Sequence, residues 1–120
     1  MGREISLGRK GEELALRFLE AEGLVLLERN WRWDHKEIDL IMESPRAIHF
    51  VEVKALRAPA AHEPWEAVTP LKQRYLSKAA EHFIFERRIG KEARFDEVSI
   101  LFDGDDASIE YIPEAFYPVY

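Results

Sequence analysis

The chain has no cysteine, which excludes disulfides and cysteine-ligated zinc and makes a reducing cytoplasm its expected setting. It has no apolar run near the roughly 18 residues needed to cross a bilayer. No hydrophobic stretch follows Met1-Gly2-Arg3-Glu4 in the manner of a signal peptide. Its histidines, His35, His49, His62 and His82, lack metal-ligand spacing, so an imidazole-held metal is not expected. No internal repeat or long linker divides the 120 residues, which suits a single domain over 1–120. Basic residues are also missing from one end, since none follows Arg94.

That last absence changes the meaning of the net charge of −6. The first 94 residues carry 17 bases against 16 acids, while residues 95–120 carry seven acids and no base. The acidity belongs to one end, and the remainder can still meet a phosphate backbone. Asp103, Asp105 and Asp106 resemble half of a calcium loop, but the flanking pattern is missing and a hairpin turn explains them better.

What is present reads as alternating helices and strands. Leu7, Leu14, Ala15, Phe18 and Leu19 recur at helical spacing over 6–22, and Gly23 supplies a stop. Strands are expected over 24–29, 37–42 and 48–54, the last two joined by a Ser44-Pro45-Arg46-Ala47 turn. Residues 55–66 read as a loop. Thr69 then caps a second helix with Pro70 at its first position, and Gly90 ends it. Strands over 95–102 and 108–112 follow, and residues 113–120 form an aromatic tail expected to lie on the core surface. The order α-β-β-β-α-β-β implies an α/β sandwich with mixed pairing.

With the turn centred between Pro45 and Arg46, Asp39 falls opposite Glu52 and Glu37 opposite Lys54. All four then share one sheet face, with Ile38, Leu40, Met42, Val51 and Val53 on the other. Like charges directly opposed are unfavourable, so Asp39 against Glu52 asks for a cation, a raised pKa or a solvated edge. A hard divalent ion takes such oxygens together with waters and substrate phosphate. Lys54, next on that face, could orient a water or offset charge at a reacting phosphate. The same spacing also suits a solvated outer face on which Glu37 and Lys54 are an ordinary pair. On the first helix Glu12 falls on the core-facing side, where it needs a partner: the site, or Arg29 or Arg32 in a structural salt bridge. Trp31, Trp33 and Trp65 could stack on unpaired bases, although packing is their commoner role.

Gly8-x-x-Gly11-Glu12-x-x-Ala15, Arg29-Asn30-x-Arg32, Glu37-Ile38-Asp39-Leu40-Ile41, Phe50-Val51-Glu52-Val53-Lys54, Ala67-Val68, Lys72 and Arg94-Phe95-Asp96 together resemble the YraN-type family. That family of small bacterial proteins is similar to restriction endonucleases and archaeal Holliday-junction resolvases. The resemblance spans about residues 8 to 116. It implies a restriction-endonuclease-like PD-(D/E)xK domain with an αβββαβ core and a mixed central sheet flanked by helices. It also implies a Mg²⁺ (or Mn²⁺) ion at Asp39 and Glu52, with Val53 between Glu52 and Lys54 counted at the metal. Lys54 would act on the attacking water, Glu12 would contribute from the first helix, and Glu37 would sit at the edge. Lys72, Arg32 and Arg57 are the candidate nucleic-acid contacts. Lys36 stands where the family usually has glycine, and Ala55-Leu56 follow the lysine where a hydroxyl or amide residue and arginine are usual. The function implied is metal-dependent cleavage of structured or branched DNA, and the alternative is a nucleic-acid-binding accessory protein that keeps the fold with little cleavage. A third reading is a protein-interaction module using the aromatic tail. A 14.0 kDa chain offers little surface for a branched duplex, which favours a homodimer.

Overall fold

The computed structural model describes residues 6–59 and 68–118. Helix α1 (Leu7–Ala21) is followed by strands β1 (Val25–Trp33), β2 (Lys36–Glu43) and β3 (Ala47–Arg57). Helix α2 (Pro70–Glu86) and strands β4 (Glu92–Asp103) and β5 (Asp106–Phe116) complete the chain. The five strands form one sheet in the order β1-β2-β3-β4-β5. β3 and β4 are parallel and the other neighbours antiparallel. This is a mixed α/β fold whose element order matches the αβββαβ core implied by the family resemblance.

Both helices start where the sequence places them. The side chain of Ser6 accepts from the Arg9 amide and that of Thr69 from the Lys72 amide, each satisfying one otherwise orphaned N–H. Pro70 follows Thr69 at a position where its missing N–H costs nothing. The end of α2 differs from expectation. It stops at Glu86, four residues before Gly90, and Arg88 takes the left-handed conformation (φ 54°) in place of a glycine.

Each helix covers one sheet face. Ala15, Leu16 and Leu19 of α1 pack on Leu40, Met42, Val51, Val98 and Ile100. Leu76, Ala79, Ala80 and Phe83 of α2 pack on Ile38, Ile41, Ile48, Phe50 and Phe95. Trp31 meets Phe83 edge-on at 5.2 Å, and Trp33 packs on Tyr75 and His82, so these two tryptophans are packing residues. The histidine His62 and Trp65 lie outside the described residues. The tail corrects its expectation. Residues 113–116 continue β5, and the Phe116 ring stacks on buried Phe95 at 4.6 Å. β1 likewise runs on to Trp33, beyond the expected end at Arg29.

The expected hairpin register is the observed one: Leu40 pairs with Val51, Ile41 with Phe50, Met42 with His49 and Glu43 with Ile48. The ladder ends at Leu40 and Val51, however, and β2 and β3 then part. Opposite this fork, Asn30 adopts a left-handed φ of 49°, between the paired Arg29–Leu40 and Trp31–Ile38. Asparagine tolerates that conformation better than most side chains. The hairpin turns over there, so Ile38 packs towards α2 while Leu40 and Met42 pack towards α1. This overturns the expectation that Ile38 shares a face with them. Simple alternation fails because the backbone is not regular at Asn30 and Asp39.

Gly11 sets how closely α1 approaches β3. A Cβ at residue 11 would lie 2.9 Å from the Ala55 Cβ, so a methyl group fits on one partner only. The small residue after the lysine is therefore matched to the helix above it. Gly11→Ala should lower stability by about 1–3 kcal/mol through overpacking, partly offset by the better helix propensity of alanine. Adding Ala55→Gly should restore most of the loss. Urea unfolding of the single and double variants checks this, and equal stability of Gly11→Ala and wild type would refute the close contact.

Candidate active site at the fork between two strands

Where β2 leaves β3, the amide of Val53 has no β2 carbonyl to bond. Asp39 Oδ2 accepts it at 2.8 Å. The carboxylate thus takes the place of a ladder contact and is held in the fork. Burial pushes the Asp39 carboxyl up to about 6 against the pull of that hydrogen bond. Repulsion from Glu12, Glu52 and Glu37 pushes the same way. Three of the sequence-nominated acids are thereby near enough to act on the fourth.

Asp39 and Glu52 line a cavity of about 200 Å³ together with Glu37, Phe50, Lys72 and Glu97. Glu52 is half-buried and forms a hydrogen-bonded ion pair with Lys72, brought over by the first turn of α2. Its second oxygen, Oε2, is buried with no hydrogen-bond partner among the described residues. Lys54 lies 3.5 Å from Glu97 Oε1 on the neighbouring strand, so its described ion pair is not with Glu37. Glu37 instead lies 3.6 Å from the exposed Arg32. Glu12, half-buried, lines a separate hollow with Arg9, Glu13, Arg29 and Asn30, and accepts from Asn30 Nδ2 at 3.0 Å. The expected salt bridge to Arg29 or Arg32 belongs elsewhere, since Arg29 pairs with Glu13 at 2.8 Å. Arg57 is exposed and lines a separate hollow with Leu7, Lys10, Phe102 and Gly104. The side chain of Val53 packs with the α1 core, so only its main-chain oxygen could serve a cation.

Among the described residues no three carboxylate or imidazole groups converge into a ready-made metal cage. Mg²⁺ does not require one, because it commonly uses one or two carboxylates with waters and substrate phosphate. The bare Oε2 of Glu52 and the desolvated carboxyl of Asp39 suit such an ion. Both are hard oxygen donors; one Glu52 oxygen lacks a partner although Lys72 pairs with the other, and the Asp39 charge is desolvated beside other carboxylates.

Two acidic residues of β4 have roles that the strand pattern did not disclose. Glu97 is almost fully buried, with its side chain 3% exposed, and burial raises its pKa against the opposing effect of Lys54. Asp96 points into a different network. It accepts from Tyr111 Oη at 2.7 Å and the Glu114 amide at 2.9 Å, and its Oδ2 is 2.7 Å from His49 Nδ1. Burial opposes ionisation of Asp96, but the hydrogen bonds from His49, Glu114 and Tyr111 outweigh it and hold the carboxyl below its ordinary range. His49 Nε2 in turn lies 2.8 Å from Ser44 Oγ. The network pins β5 and the β2–β3 turn to the central strands. Asp96 and Glu97, two of the seven acids after Arg94, are thus buried and add little to the charge of the surface. In a lone sequence, only the unusual run of two acids between Phe95 and Val98 hinted at this.

The family described as "Uncharacterised protein family UPF0102" matches residues 11–100. A UPF0102 protein of Geobacter metallireducens is 44% identical over 116 residues, covering 96% of this chain and 95% of the relative. Those of Syntrophotalea carbinolica (38%; 95% and 94% covered) and Pelobacter propionicus (43%; 94% and 84% covered) are similar over comparable spans. The chain belongs to the UPF0102, or YraN, family. The strand fork and most of the cavity lining lie within the matched span, and Ala115 and Phe116 of β5 complete the lining beyond it. Of the described helices, none is long and apolar enough to cross a membrane.

The raised pKa of Asp39 makes a stability prediction for metal-free protein. Between its ordinary value of 3.8 and about 6 the folded state holds a proton that the unfolded state has released. The group therefore costs stability as pH rises through that window, and the cost is complete above it. Asp39→Asn removes the titration, so the difference between variant and wild type should shift in favour of the variant by about 1–2 kcal/mol from pH 4 to pH 7. Urea unfolding in chelator at the two pH values checks the sign. A shift towards wild type would show that Asp39 is stabilised as the anion.

Proposed function

We propose that this chain is a divalent-metal-dependent nuclease that hydrolyses phosphodiester bonds in structured or branched DNA. The observation that carries the reading is the fork itself, where Asp39 and the unpartnered Glu52 Oε2 meet one cavity that Lys72 also lines, with Lys54 two residues along the strand from Glu52. Asp39 and Glu52, with the main-chain oxygen of Val53, would hold Mg²⁺ or Mn²⁺. The ion would supply charge stabilisation at the phosphate and a more acidic water. The Val53 amide fixes one Asp39 oxygen and so restricts how that carboxylate is presented. Lys54 would steady the attacking water and offset charge that develops on the phosphate. Lys72 would exchange its hold on Glu52 for a phosphate oxygen when DNA arrives. Glu37 in the cavity wall and Glu12 in the adjoining helix, by raising the affinity of Asp39 for positive charge, would favour cation entry. The exposed Arg32 and Arg57 would touch the phosphate backbone away from the reacting bond. The preference for branched DNA, and a homodimer large enough to span it, rest on the similarity of the family to resolvases.

A non-cleaving, DNA-binding role is the second reading. It is favoured by one observation: Lys72 already gives Glu52 an ammonium partner, so the pair can persist without a metal.

The readings part on catalysis. With Mg²⁺ or Mn²⁺, pure protein should cleave at least one of a junction, flap and single-stranded DNA panel. Lys54→Met should slow single-turnover cleavage by about 10²-fold or more, the order expected when one preorganised stabilising group is lost. DNA affinity should change far less. Calorimetry should show Mn²⁺ binding that Asp39→Asn abolishes. A near-normal single-turnover rate in Lys54→Met would remove Lys54 from the chemistry, and intact Mn²⁺ binding in Asp39→Asn would remove Asp39 from the metal site.

A further inference from the structure

Glu97 is an unlikely residue for its place unless it has a partner to hold. It lies in the second strand of the parallel β3–β4 ladder, at the same level as Glu52. Its side chain is 3% exposed and lines the cavity with the apolar Phe50, Val68 and Leu76. A carboxylate is costly in such a setting, and more so beside a second one. Glu97 Oε1 has no hydrogen bond among the described residues, and the nearest described cation is the Lys54 ammonium at 3.5 Å.

The charges on this face are divided between two strands and a helix. Glu52 takes its cation from α2 through Lys72, and Lys54 is drawn across the ladder to Glu97. Lys54 is also two residues from Glu52 on the same side of β3, within reach of it. An ammonium that settled on Glu52 would cover the oxygen left bare. We infer that Glu97 is the positioning residue for Lys54, holding its ammonium across the β3–β4 ladder and off Glu52, so that the bare Glu52 oxygen is left to a cation. The inference rests on the nuclease reading of the site and adds to it a residue outside the Asp39–Glu52–Lys54 set.

The test is a double-substitution cycle read in two ways. Glu97→Gln keeps the shape and removes the charge, and should slow single-turnover cleavage about 10-fold or more, as misplacement of a reacting group does. Glu97→Asp, which keeps the charge on a shorter stem, should fall between Gln and wild type. In a Lys54→Met background, Glu97→Gln should cause no further loss, because nothing remains to be positioned. Independent losses in the two backgrounds would overturn the inference and leave Glu97 a packing residue. The second readout is thermal unfolding in metal-free buffer. Lys54→Met strands a buried carboxylate and should lower the midpoint, and adding Glu97→Gln should raise it again. A midpoint lowered equally by Glu97→Gln in both backgrounds would also overturn the pairing. If wild type cleaves nothing on any substrate, the nuclease reading fails by itself, and the thermal cycle still decides whether Glu97 holds Lys54.

Discussion

A strand that leaves its neighbour exposes an amide that some group must satisfy, and at the end of the β2–β3 ladder that group is the Asp39 carboxylate. The bond does two things together. It terminates the pairing without leaving a buried donor orphaned, and it fixes a charged oxygen in the opening so created. The rest of the site follows from this parting of strands. Once β2 has turned away, the far half of β3 is paired on one side only, by β4. Glu52 then faces the opening and the first turn of α2, and Lys54 reaches across to Glu97 of β4. Asn30, opposite the fork, absorbs the sharp change of direction with its left-handed backbone and donates to Glu12 of α1.

Much of this could be seen in the chain itself, and the reasons for the exceptions are specific. The hairpin register followed from one proline-containing turn, because antiparallel partners have a constant sum once the turn is placed. Helix starts were legible because Ser6, Thr69 and Pro70 act locally. Ile38 was assigned to the wrong face because alternation assumes a regular strand, and two residues on adjacent strands break the regularity together. The partners of Glu12, Glu37 and Lys54 were also beyond reach. Each is chosen by what β1, β4 or α2 brings alongside, and side-chain spacing within one hairpin says nothing of those neighbours. Asp96 and Glu97 were counted with an acidic surface tail because composition cannot distinguish a buried carboxylate from a solvated one.

The two faces of the sheet have different work. The α1 face is largely apolar and includes the Asp96–His49–Tyr111 network, in which every described partner of the carboxylate is satisfied. The α2 face carries orphaned oxygens and a cavity. Polar groups in the interior thus come in two kinds, one closed on itself and one incomplete. The incomplete kind lies where a ligand could finish it, which is the physical sense in which this site differs from a structural ion-pair cluster.

The outer strands have a bearing on how copies of the chain can meet. β1 is irregular between Leu26 and Glu28 and bends again at Asn30. β5 contains Pro113, which has no amide hydrogen, and Glu114 in a left-handed conformation. β1 therefore lacks the straight run of free amides and carbonyls that strand-to-strand docking requires, whereas β5 is unbroken from Asp106 to Ile112. A second copy that extended the sheet would have to add its strand along that stretch. β4 would then stand between the seam and the strand that carries Glu52 and Lys54.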